Sequence, residues 1–289
     1  MLQITLPNNS TLSVAPGSTL ADVVALIGPG LAKSALAAQF NNQLHDLSYP
    51  LNESGTLKVL TSKDSESLSL VRHSSAHLMA MAITDLFPAT KLTIGPVIEN
   101  GFYYDLDSEH KFTPDDFPAI EKKMLQIVQA NLPIERSEVL RTEAIKYYQN
   151  SDHFEPYKVE MLEEWTDSHV SFYKQGSFTD LCRGPHVPST GKLGHFKLLS
   201  VAGAYWRGDE KRPMLQRIYA TAWLSQAELN AYIFQLEEAK RRDHRVLGRE
   251  LNYYHIDENS PGMVFWHPRG WTLYRLLESY VTKKIEDNS

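Results

Sequence analysis

The run Arg72-His73-Ser74-Ser75-Ala76-His77 constrains the fold more than any other stretch, because it commits two sides of one helix. At about 100° of rotation per residue, Val71, Ser75, Leu78, Ala82 and Leu86 share a stripe that suits a core. His73 and His77 point almost the opposite way, with Leu70, Ala80, Met81 and Thr84 near them. A helix with an apolar stripe on one side and two imidazoles among small or apolar neighbours on the other is expected to wall a pocket. Pro88 is expected to end it.

A second cluster follows about a hundred residues later, Asp180-Leu181-Cys182-Arg183-Gly184-Pro185-His186. Gly184 and Pro185 exclude a regular helix, so Cys182 and His186 belong to a turn or loop. Three histidines and the only cysteine, in two short clusters, suit metal ligation or the activation of water. The HxxxH pair alone is matched by a bland alternative, two solvent-exposed histidines. The Cys/His cluster, with an aspartate two residues before the cysteine, favours a site. His73, His77, Cys182 and His186 make a Cys-His₃ zinc set if the clusters converge. The helix lacks the HExxH glutamate of a metalloprotease base.

Composition bounds the setting. The length of 289 residues suggests two domains or slightly more, and a hydrophobic fraction of 42% is ample for ordinary cores. One cysteine excludes an internal disulfide and points to a reducing compartment. The N-terminus has no basic and apolar signal pattern, and no apolar run approaches ~18 residues, so a cytosolic protein with no membrane partner is expected. A formal net charge of −6 argues against a general nucleic-acid binder, DNA included, but leaves room for a local basic surface that reads one RNA.

Residues 1–62 read as strand (Leu2–Leu6), turn, strand (Thr11–Ala15), a helix capped by Ser18 and stopped by Gly28-Pro29-Gly30, a hairpin (Ala35–Phe40 and Gln43–His45) and a last strand (Leu57–Leu60). This order suits a ubiquitin-like β-grasp fold in which nothing looks catalytic. A polar hinge leads to a larger α/β unit spanning 63–224. It holds the histidine helix, a hairpin at Asn100-Gly101, a helix from Thr113-Pro114 to about Ala130, a strand at Ile134–Val139 and a helix over Thr142–Asn150. Further strands are expected at Tyr157–Met161, Val170–Lys174, Phe196–Val201 and Met214–Trp223. Ser225-Gln226-Ala227-Glu228 is a capping box for a linker helix over 225–248, with Gly248 as its stop. Lys240, Arg241, Arg242, Arg245 and Arg249 match either a dipole-compensated solvated face or a phosphate-contacting surface. Residues 249–289 look too few for a separate core.

These residues resemble the N-terminal portion of bacterial threonyl-tRNA synthetase. The resemblance is carried by RHSSAH (72–77), IGPVIENGFYYD (94–105), DLCRGPHVP (180–188), AGAYWRGD (202–209), MLQRIYATAW (214–223) and PGMVFWHPRGW (261–271). It implies an α+β chain: a TGS domain, an editing domain, a linker helix and the start of a class II catalytic domain. The ATP-binding motifs 2 and 3 and the catalytic domain's zinc ligands are absent, so aminoacylation is not expected from this chain alone. The catalytic half is then a separate chain or a missing part.

The resemblance implies hydrolysis of Ser-tRNA(Thr), with the acceptor end of tRNA(Thr) as partner. A missing methyl gives a binding site only about 10–200-fold discrimination, which a second, smaller hydrolytic site makes good. By the same resemblance His73 and His77 position or activate water, His186 and Asp180 complete the site, and Lys158 holds charge near the ester. Cys182 polarises or positions rather than attacking. Gly95, Tyr104 and Tyr173 line the substrate pocket. No cofactor is required for editing on this reading; zinc is the alternative, because a related alanyl-tRNA synthetase domain holds it with a similar pattern. The competing functions are a non-catalytic tRNA- or partner-binding module and a zinc-dependent hydrolase of another ester.

Overall fold

The computed structural model describes residues 1–150 and 154–288. They form two compact units, Met1–Leu229 and Asn230–Ser289.

The first unit opens with β1 (Leu2–Thr5) and β2 (Thr11–Val14), an antiparallel pair. Helix α1 (Leu20–Ile27) is capped by Thr19 rather than Ser18. The reason lies three residues on: the Asp22 carboxylate accepts the Thr19 N–H at 2.8 Å, and Thr19 accepts the Asp22 N–H in return. Gly28 ends α1, but Pro29 begins a short second helix, α2 (Pro29–Ser34), instead of closing the helical region. Proline's fixed φ suits a first helical turn. Strands β3 (Ala37–Phe40) and β4 (Gln43–His45) form a hairpin around Asn41 and Asn42, both left-handed, and β5 (Gly55–Leu60) completes the sheet. The order is β2-β1-β5-β3-β4, with β1 and β5 parallel, as a β-grasp fold requires.

Helix α3 (Ser67–Leu86) carries the histidines and is buried on nearly every side. The expected stripe holds at Val71, Ser75, Leu78 and Ala82, but Leu86 is exposed. Two sheets account for the burial. One runs β12-β13-β8-β6, from β6 (Lys91–Leu92), β8 (Gly101–Asp107), β12 (Phe196–Tyr205) and β13 (Met214–Ala222), with β7 (Val97–Ile98) on β8. Arg72 ties α3 to it, donating to the carbonyls of Glu99 at 2.6 Å and Ala222 at 3.2 Å. Helix α4 (Phe117–Ala130), started by a capped 3-10 turn at Pro114–Asp116, packs on α3. The second sheet, β11-β10-β9, comprises β9 (Ile134–Leu140), β10 (His169–Gln175) and β11 (Phe178–Leu181), and Gln175 donates to the His77 carbonyl at 3.0 Å. Helix α5 (Arg141–Gln149) follows β9.

Tyr157–Met161, expected as a strand, lies in helix α6 (Pro156–Glu164). The alternation Tyr157, Val159, Met161 imitates a strand, but Pro156 presets the first turn and the helix buries Lys158 and Leu162 four residues apart on one face.

In the second unit, α7 (Gln226–Arg241, beginning in the first unit) stops before Gly248, and a separate α8 (His244–Glu250) is capped by Asp243. Gly248 therefore sits inside a helix, where the Tyr254 ring leaves no room for a Cβ. Arg241 and Arg242 pair with Glu238, and Arg245 with Asp243. A short hairpin, β14 (Tyr254–His255) with β15 (Phe265–Trp266), precedes α9 (Pro268–Glu286). Among the described residues, no helix is long and apolar enough to cross a membrane.

Candidate active site

Helix α3 presents His73 and His77 one turn apart, their ring centroids separated by 5.4 Å. The chain after β11 passes beneath them as an irregular loop. Its Gly184 adopts φ +68°, and a Cβ there would overlap the Tyr173 hydroxyl, so only glycine lets the loop lie against β10. The loop sets Cys182 Sγ 2.9 Å from His73 Nε2, and His186 Nε2 3.2 Å from the same nitrogen. The potential ligand atoms of His73, His77, Cys182 and His186 lie within 4.8 Å of one another. His73 is half-buried; the other three are buried.

Beneath the imidazoles lies a buried charge pair. Asp180 Oδ1 sits 2.7 Å from Lys158 Nζ, and Asp180 Oδ2 accepts a 2.7 Å hydrogen bond from the Tyr104 hydroxyl. The same Oδ2 lies 3.4 Å from His77 Nδ1. That placement favours a proton on Nδ1 and leaves Nε2 of His77 with a free lone pair. Ser74 Oγ lies 3.1 Å from His186 Nδ1 and accepts the Val187 N–H, fixing the His186 ring from the helix side.

Burial holds His73, His77 and His186 below the ordinary histidine value. The Asp180 charge partly offsets this for His73, whereas neighbouring imidazoles reinforce it for His77 and His186. The three rings are neutral at neutral pH. Burial also pushes the Cys182 thiol up to about 12, so it stays protonated and is a poor nucleophile. Glu155, one residue before α6, is pushed up to about 7 by burial while it accepts the Leu92 N–H at 2.9 Å.

Every expected site residue lies in this region, in differing positions. Tyr104 and Tyr173 are buried: Tyr104 is held on Asp180, and Tyr173 donates to Asp46 Oδ2 at 2.6 Å. Gly95 lies against the Tyr104 ring and Ala76, so closely that a Cβ would overlap the ring. Two contributors escaped the sequence reading. Ser74 stands inside the histidine motif and was readable there. Asp46 follows β4 of the β-grasp domain, and no local pattern marks it.

Cys-His₃ is a zinc-competent donor set. The His73–Cys182 spacing is shorter than the roughly 3.5 Å that tetrahedral ligation imposes between ligand atoms, so the side chains as placed form a compact polar cluster that would have to open slightly around an ion.

Two family models match parts of this chain. The TGS domain family matches residues 2–61, and the second additional domain of threonyl and alanyl tRNA synthetases matches residues 170–219. Threonine--tRNA ligases of Acidovorax sp. (strain JS42) and Polaromonas naphthalenivorans are 51% and 50% identical over all 289 residues, which cover 45% of each relative. That of Hahella chejuensis is 50% identical over 283 residues, 98% of this chain and 44% of the relative. The chain thus spans a little under half the length of the curated relatives it matches.

Proposed function

We propose, for a chain that carries the TGS domain and the second additional domain of bacterial threonine--tRNA ligases, that it proofreads by hydrolysing Ser-tRNA(Thr). The observation that carries this reading is the convergence of His73 and His77 with Cys182 and His186, over a buried Asp180–Lys158 pair.

Hydrolysis needs a water oriented at the ester carbonyl, a base for its proton, stabilisation of the developing oxyanion and a proton for the departing ribose hydroxyl. Neutral His77, oriented through Nδ1 by Asp180, offers Nε2 to the water. His73 and His186 position that water, and the proton that His77 Nε2 takes up passes to the ribose oxygen as the ester C–O bond breaks, which leaves His77 neutral again. Lys158 supplies positive charge as the carbonyl oxygen becomes anionic. Tyr104 and Tyr173 act as braces for Asp180 and His186. Exclusion of the threonyl methyl by the pocket gives selectivity.

The same donor set supports a second reading in which His73, His77, Cys182 and His186 hold zinc, which would polarise the attacking water. A non-catalytic tRNA-docking role is the remaining alternative. Serine release from Ser-tRNA(Thr) by the purified chain, with and without exhaustive chelation and with His73→Ala as control, tests all three. Release that survives chelation and is lost in the variant supports the metal-free deacylase. Loss on chelation favours zinc. No release from folded protein leaves docking.

A further inference from the structure

A side chain of the β-grasp domain, Asp46, reaches the site. Asp46, immediately after β4, directs its carboxylate to the loop that carries His186. Oδ1 accepts the main-chain N–H of His186 at 2.7 Å, and Oδ2 accepts the Tyr173 hydroxyl at 2.6 Å. The Tyr173 ring in turn lies against the His186 imidazole, centroids 4.3 Å apart, and Gly184 packs on the tyrosine hydroxyl. His186 is thus held from three sides: by Asp46 at its backbone, by Tyr173 on its ring and by Ser74 at Nδ1.

The anchor is firm. Leu36 and Ala37, leading into and opening β3, belong to the hydrophobic core that surrounds α3, and Leu44 of β4 packs against it. Asp46 therefore hangs from a hairpin embedded in the same core as the histidine helix, not from a free-standing accessory module. A carboxylate with both oxygens occupied by donors from one loop and its supporting strand fixes that loop in two directions.

We infer that Asp46 is a positioning residue for the hydrolytic site, and that the β-grasp domain completes the site's supporting shell. The inference rests on the deacylase reading for its catalytic consequence, but not for its geometric content. The test uses the full chain with Asp46→Ala, Asp46→Asn and Tyr173→Phe, reading the amide exchange of His186 and, separately, kcat and KM for Ser-tRNA(Thr).

In Asp46→Ala the His186 amide exchanges about tenfold faster, as expected when one hydrogen bond is lost. kcat falls by about tenfold to a hundredfold, with KM nearly held, because the imidazole is misplaced while RNA contacts persist. Asp46→Asn keeps an oxygen for the His186 N–H and recovers most of the protection. Tyr173→Phe adds little in the Asp46→Ala background, since the two act as one unit. Unchanged His186 exchange in Asp46→Ala overturns the inference, whatever the activity. If the wild-type chain releases no serine, the deacylase reading falls and the exchange measurement still decides the role of Asp46.

Discussion

Asp180 joins the parts of the site: one carboxylate meets Lys158, Tyr104 and His77. Replacing it with asparagine leaves the Lys158 ammonium buried without its counter-charge. Breaking a buried pair from one side costs about 3–5 kcal/mol, so Asp180→Asn is expected to lower the urea midpoint substantially and abolish serine release. Near-normal stability would mean that Lys158 finds another anion. The histidines set the pH dependence. Their folded-state pKa values lie below the unfolded value, so the stability they allow is complete above that unfolded value. It is lost as pH falls toward the folded values, at about 1.4 kcal/mol per unit for each ring held neutral. Urea melts from pH 7.5 down to 5.5 should therefore show falling stability, and a flat profile would contradict rings kept neutral by burial. The short motifs made these residues legible, because their chemistry is written in adjacent letters. Asp46 was not legible: its contacts to Tyr173 and His186 span 127 and 140 residues, and local spacing carries no record of such pairings.

At the scale of elements, the β-grasp order, the histidine helix and most later strands follow from period and turn chemistry. Several departures have local causes. α6 imitates a strand because three apolar residues alternate in a short run, and only the preceding proline marks it as a helix. α2 was hidden behind a Gly-Pro-Gly that reads as a stop. β11 and the break between α7 and α8 depend on tertiary partners and on the Asp243 cap. The α1 cap offers a clean test of how independent these elements are. Thr19→Ala removes one half of a reciprocal box remote from the histidines and should cost about 1 kcal/mol of stability. Serine release should be unchanged. A loss of release without a matching loss of stability would show that α1 communicates with the site.

On the scale of the whole molecule, the segments that match the two families lie in one compact unit, and its main core draws on residues from the β-grasp sheet and from α3 and its sheets. This is where sequence reading was least informative. The TGS match ends at residue 61, yet hydrophobic residues of β3 and β4 pack into the core around α3 as well as into that of the β-grasp sheet. The site needs α3, β8, α6, β10, β11, the 182–187 loop and the end of β4 together, and all of these lie in the first unit. If this assembly is a hydrolase selective for the smaller amino acid, deacylation by the purified chain of Ser-tRNA(Thr) beside Thr-tRNA(Thr) shows it most directly. Serine release is expected to be at least about tenfold faster than threonine release, the scale set by one excluded methyl, and to be lost in His73→Ala. Equal release of both amino acids, or release untouched by His73→Ala, would contradict it.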